Sequence, residues 1–109
     1  MKKLALFSVL ALSCLSIASA KTYELTLAGP TKAGNVELKP GQYRLKINGS
    51  NAIFTDMENE KSFTVPVKLE TNGSRKFETT RVDATKSNGT DVIQDIELGG
   101  SNTKVEFSY

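Results

Sequence analysis

Apolar and polar residues alternate with period two along most of the chain beyond residue 20. Tyr23, Leu25 and Leu27 alternate with Thr22, Glu24 and Thr26, and Tyr43, Leu45 and Ile47 with Arg44, Lys46 and Asn48. Phe63, Val65, Val67 and Leu69 alternate with Thr64, Pro66, Lys68 and Glu70, and Val105, Phe107 and Tyr109 with Lys104, Glu106 and Ser108. Successive side chains of a strand point to opposite faces, so each run predicts a strand with one buried and one wet face. No window here places apolar residues at the i, i+3, i+4 spacing of an amphipathic helix. Val36 and Leu38 predict a short strand before Pro40-Gly41.

Three segments break the alternation. Ala52-Ile53-Phe54 predicts a bulge or a strand buried on both faces. Phe77 and Val82 stand at opposite parity, which predicts a kink within 76–85. Val92, Ile96 and Leu98 share a parity with Gln94, a polar residue in an apolar stripe. Pro66 cannot donate to a strand ladder, so its strand is expected at a sheet edge.

Turn signals separate these segments about every ten residues: Gly29-Pro30, Gly34-Asn35, Pro40-Gly41, Asn48-Gly49, Asn72-Gly73, Asn88-Gly89 and Gly99-Gly100 among them. The pattern predicts an all-β fold, a single small antiparallel β-sandwich or β-barrel of about eight short strands. No linker, low-complexity tract or internal repeat divides residues 21–109.

The first twenty residues read differently. Two lysines follow Met1, an apolar run extends from Leu4 to Ile17, and Ala18-Ser19-Ala20 precedes Lys21. A basic start, a short apolar core and a small-x-small exit form a signal-peptide pattern. The expected division is therefore 1–20, a signal peptide cleaved after Ala20, and 21–109, an all-β domain that is secreted or periplasmic. A lipid-modified N-terminus at Cys14 is the alternative; its lipobox would want Leu where Ala11 stands.

Removing the signal changes the charge balance. Without Lys2 and Lys3, the 14 basic residues become 12 against 12 acidic ones. A neutral domain gives no electrostatic argument for nucleic acid or an anionic membrane surface as partner. Cys14, the single cysteine, leaves with the signal, so a core of 89 residues must hold without disulfides.

Candidate chemistry is sparse. The chain has no histidine, so the commonest general base and metal ligand is missing. With no cysteine beyond residue 20, thiol nucleophiles and common zinc sites are excluded there. Asp91, Asp95 and Glu97 are the best candidates for a hard cation such as calcium, because carboxylates on one strand face can converge on an ion. Against this stands a solvated strand face pairing with lysines across the sheet. No calcium-loop spacing is present, so no metal, cofactor or catalytic residue is assigned. On this reading calcium leaves stability unchanged and Asp95→Asn has little effect. Asp83 or Asp91 could pair with Glu97 for carboxylate catalysis if a groove brought them together. Arg75-Lys76, Arg81 and Lys86 could mark an anion site, though Glu78 and Asp83 interleave with them. Asn48-Gly49-Ser50, Asn72-Gly73-Ser74 and Asn88-Gly89-Thr90 match the glycosylation sequon, but type I′ hairpin turns, which Asn-Gly favours, are the expected explanation of all three.

The stretch Val36 to Ile47, VELKPGQYRLKI, resembles the Leu-x-Pro-Gly-x-Tyr-x-Leu-x-Ile turn and strand of carboxypeptidase regulatory-like and transthyretin-like β-sandwich modules. With Phe63 to Leu69 and Leu98-Gly-Gly-Ser101, most of residues 21–109 resembles small exported bacterial β-proteins of uncharacterised function. The resemblance implies a β fold and a non-enzymatic role.

The leading expectation is thus a non-enzymatic module outside the cytoplasm that binds an unknown protein or small-molecule ligand, or serves a structural role. A small hard-cation-dependent or carboxylate-based enzyme is the first alternative. A small outer-membrane barrel is the second, although eight spanning strands of about 9–11 residues would leave little chain for connections.

Overall fold

A computed structural model describes residues 21–109. The signal peptide expected at 1–20, and Cys14 with it, lie outside the described residues. Ten strands form: β1 (Thr22–Leu27), β2 (Thr31–Ala33), β3 (Val36–Leu38), β4 (Gly41–Asn48), β5 (Asn51–Asp56), β6 (Ser62–Pro66), β7 (Lys68–Thr71), β8 (Arg81–Ser87), β9 (Thr90–Glu97) and β10 (Thr103–Glu106). A four-stranded sheet runs β1-β4-β5-β6 and is antiparallel throughout. The six-stranded sheet is centred on β9. One edge of β9 pairs with β8; the other is shared, end to end, by β10 and β2, whose outer neighbours are β7 and β3. The β2–β9 pairing is parallel, the one departure from the expected antiparallel order among the described strands.

The two sheets pack face to face as a sandwich, and neither closes on itself. That removes the closed-barrel alternative for this domain. Among the described residues no helix is long and apolar enough to cross a membrane. The core comes from inward positions of both sheets: Leu25, Tyr43, Leu45, Phe54 and Val65 from one, Ile93, Ile96, Leu98, Val105 and Phe107 from the other. Phe54 and Phe107 meet across the interlayer with ring centroids 6.1 Å apart and tilted by 38°, a favourable aromatic geometry.

The alternation read from sequence holds for β1, β4 and β10. Two strands beyond the expected eight arise for local reasons. The run from Phe63 to Leu69 is two strands, since the chain leaves the four-stranded sheet at Pro66 and enters the six-stranded one at Lys68. Pro66 does stand on an edge strand, as expected. The three-residue β2 is too short to show a period.

Two expectations are corrected. β5 carries neither a bulge nor a doubly buried face: Ala52, Phe54 and Asp56 are buried in strict alternation with Asn51, Ile53 and Thr55. The bulge is in β9. Asp83 pairs with Asp95 but Ala84 with Ile93, so Gln94 is the extra residue. A bulge shifts side-chain parity by one. Ile93 and Ile96 therefore both point into the core, Gln94 is exposed, and Val92 is not on the core stripe.

The Pro-Gly-x-Tyr stretch crosses from β3 to β4, between sheets. The Tyr43 hydroxyl donates to the Lys39 carbonyl at 2.8 Å, pinning the crossing as a tyrosine corner does. Burial, then the nearby Asp56 carboxylate, raises the Tyr43 pKa above its ordinary value and keeps it a donor. Of the three Asn-Gly pairs, only Asn88-Gly89 has both residues at positive φ, the type I′ pattern. At β4–β5 the loop residues are Gly49-Ser50, with positive φ at Gly49 alone, and Asn72-Gly73 opens the longer loop between β7 and β8.

Candidate functional site

The β2–β3 hairpin turns at Gly34-Asn35 beside β6. Gly34 has φ of +63°, and a Cβ there would lie 2.6 Å from Val65 Cγ1. Only glycine meets both demands, so the hairpin closes tightly over the end of β6.

Tyr109 approaches the same place from the other sheet. Along the shared edge of β9, β10 pairs with Asp95–Glu97 and β2 with Asp91 and Val92. Phe107 N–H extends the β10 side by donating to the Gln94 carbonyl at 3.0 Å. The Ile93 carbonyl falls in the gap between the two strands and accepts from the Tyr109 hydroxyl. That hydroxyl also lies 3.2 Å from the Lys32 carbonyl and accepts from the Gly34 N–H at 3.2 Å. A side chain thus closes a gap in the backbone ladder, where an unpaired carbonyl would be costly. Burial of the hydroxyl raises its pKa, and the Gly34 hydrogen bond opposes this only in part. Sequence alternation had placed Tyr109 inward. Its hydroxyl is anchored, but the residue as a whole is 60% exposed.

The exposed ring of Tyr109 forms one wall of a cleft of about 540 Å³. Val65, Pro66 and Val67, at the crossing from β6 to β7, form the opposite wall, and Lys32 and Lys68 stand at the rim. The Lys32 ammonium lies 6.0 Å from the Tyr109 ring centroid, at the limit of a cation–π contact. The volume falls within the range of small-molecule sites, roughly 300–1,000 Å³, and the walls are mainly apolar, as such sites are. Lys32 has no ion-pair partner among the described residues; Lys68 closes no ion pair either but stands opposite Glu106, and its charge reaches the Glu70–Glu106 carboxyls.

The acidic residues singled out from sequence do not converge. Asp91 lies before the bulge, on the side of Ile93, and pairs with Lys86 at 3.3 Å. Asp95 and Glu97 lie beyond it on the outer face, where Asp83 stands opposite Asp95 and Arg81 opposite Glu97. Burial, then Asp83, raises the Asp95 pKa. No group of three or more His, Cys, Asp or Glu is placed to hold a metal ion among the described residues. On the same face Glu70 and Glu106 form a carboxyl pair. Their mutual hydrogen bond lowers the first and raises the second, and the Lys104 ammonium lies 3.6 Å from Glu70. Split carboxyl pKa values can mark an acid and a base; Glu70 lines a small depression of about 230 Å³ with Glu97, Lys104 and Phe77, and Glu106 does not share it. The basic residues also disperse: Arg75 and Lys76 are exposed in the β7–β8 loop, Arg81 lies on the outer face, and Lys86 is held by Asp91.

The cleft was not legible in the sequence. Its walls come from three separated segments joined only by topology, and Val67 and Tyr109 read as core. Comparison with known proteins found no matching family model, no matching curated protein and no matching solved structure.

Proposed function

We propose that residues 21–109 form a non-enzymatic binding module that acts outside the cytoplasm after cleavage behind Ala20, and that its ligand sits in the cleft walled by Tyr109 and Val67. The cleft carries the reading. It is of ligand size and mostly apolar, and its shape is fixed by a phenol anchored to two strands and a glycine that tolerates no side chain. Pre-formed apolar concavities with a few polar groups at the rim are the usual form of small-molecule sites. The two rim lysines favour a ligand with an apolar body and an anionic group. No cleft-lining residue forms an acid–base or nucleophile–base arrangement, which favours holding a ligand over transforming it.

The test isolates the protein from its exporting cell under native conditions and weighs it intact, beside a Val67→Glu variant that fills and charges the cleft. The expected result is a polypeptide beginning at Lys21 that retains a small molecule, which the variant loses while staying folded. A wild-type protein without bound small molecule, or one whose ligand survives Val67→Glu, contradicts the cleft. A full-length chain in the cytoplasm, or a lipid on Cys14, contradicts the export route.

A further inference from the structure

The flank of the sandwich opposite the cleft leaves two strand edges open. β1 ends the four-stranded sheet and β8 the six-stranded one, and β8 pairs only with β9 among the described strands. Between them lies a slot of about 290 Å³ lined by Leu27, Val82 and Ile93 together with the polar Thr26, Thr31 and Asp91. An exposed edge presents unpaired backbone donors and acceptors, and proteins usually guard it with proline, short length, charged side chains or a bulge. β3 is three residues long and β6 ends in Pro66. β8 is seven residues long, has no proline and is exposed at every position but Val82. Its one inward charge is Lys86, near its far end and held by Asp91. The first half of β8 is guarded only by the charges of Arg81 and Asp83 and the bulge beside Asp83, so a partner that matches those charges can add to it.

We infer that this half of β8 is a self-association edge, on which a second copy of the chain pairs antiparallel about a two-fold axis through Val82. Symmetry and charge select that register. A two-fold axis perpendicular to a sheet relates each residue i to a residue j with i + j constant and even, so the axis passes through one residue and its symmetry mate. Centred on Asp83, the pairing sets Asp83 against the second copy's Asp83. Centred on Ala84, it sets Val82 against Lys86 and Asp83 against Thr85, and leaves Arg81 facing Ser87. Centred on Val82, it sets Arg81 opposite the second copy's Asp83, twice by symmetry, with Val82 against Val82 beside the slot. In this register the paired stretch is Arg81 to Asp83, since β8 begins at Arg81 and Glu78 lies in the bend before it.

Directly opposed unlike charges favour an antiparallel pair and like charges oppose it. No ion pair closes at Arg81 or Asp83 within the chain among the described residues, although Arg81 stands opposite Glu97 in register. Within the chain Asp83 already faces Asp95. An arginine from a second copy on its free side offsets that repulsion. β1 offers no such match: Glu24 is its single charge, and every register leaves it facing threonine or itself. A dimer in this register joins the two six-stranded sheets into one continuous sheet across β8, an isologous arrangement that closes on itself.

The test is sedimentation equilibrium of the purified protein over a wide concentration range, at low and high salt, beside Asp83→Arg and the exchange Arg81→Asp/Asp83→Arg. Asp83→Arg replaces the attraction with two arginine–arginine contacts while facing Asp95 favourably within the chain, so it should fold; its melting at a concentration where wild type is monomeric checks this. The expected results are a wild-type monomer–dimer equilibrium weakened by salt, association weakened about tenfold or more by Asp83→Arg, and recovery in the exchanged variant. A wild-type protein that is monomeric throughout overturns the inference. So does a dimer indifferent to Asp83→Arg, or one that the exchange fails to restore.

Discussion

Tyr109 joins stability to site geometry through a single oxygen. Its hydroxyl meets the Ile93 carbonyl where neither β2 nor β10 can, and receives the Gly34 N–H. Tyr109→Phe keeps the ring as a cleft wall but leaves the carbonyl and the N–H to find other partners. The expected cost is about 1–3 kcal/mol, read as a lower denaturation midpoint. Because the folded phenol titrates above its ordinary value near 10, its contribution is complete below that value. It is lost as pH rises through the folded pKa. The variant and wild type should therefore converge in stability at strongly alkaline pH. Asp95 has the same sign. Burial and the facing Asp83 raise its pKa above 3.8, so the folded state binds the proton more tightly and stability falls as pH rises from 3.8 through the folded pKa. Asp95→Asn removes a like-charge pair worth about 0.2–1 kcal/mol. It should raise the melting midpoint at neutral pH, with the gain gone below pH 3.8. This differs from the small effect expected of a solvated strand face. Asp83 opposite Asp95 is the reason, and the sequence does not reveal which acid faces which.

At the scale of the element, period two carried most of the fold. It marked β1, β4 and β10 and their buried faces because each of those faces packs continuously on the other sheet. It failed where the chain changes sheet or register. Phe63 to Leu69 looked like one strand because apolar and polar residues keep alternating across the crossing at Val67, although β7 is exposed at all four positions, Leu69 included. β9 looked flawed because a bulge at Gln94 moves the core stripe from odd to even positions. A one-residue shift exchanges inward and outward side chains, so the bulge, more than the chemistry of Gln94, should matter. Gln94→Ala, at an exposed position, is expected to change stability by no more than about 0.5 kcal/mol. Deleting Gln94 places Ile96 and Leu98 on the solvent face or breaks the pairing with β8, and should abolish cooperative unfolding. Thermal melts followed by circular dichroism separate the two outcomes. Equal behaviour of the two variants would contradict the bulge.

The whole molecule rests on one interlayer with no disulfide among the described residues to reinforce it. Phe54 and Phe107 bridge the sheets near its centre, with 0% and 8% of their surfaces exposed. Phe107→Ala should cost about 3–5 kcal/mol, a large share of the 5–15 kcal/mol typical of such a domain, visible as a reduced denaturant midpoint with an unchanged slope. An unchanged midpoint would contradict the packing. The same two-layer arrangement leaves concave ground where the chain passes between sheets at Val67, and there the account places the ligand. Chemical-shift mapping tests this most directly. The isotope-labelled protein is titrated with the small-molecule extract of the cells that produce it. Shifts are expected to cluster at 32–35, 65–68 and 108–109 and to be absent in Val67→Glu. Shifts confined to β8 and β9, or none at all, would contradict a ligand-binding cleft.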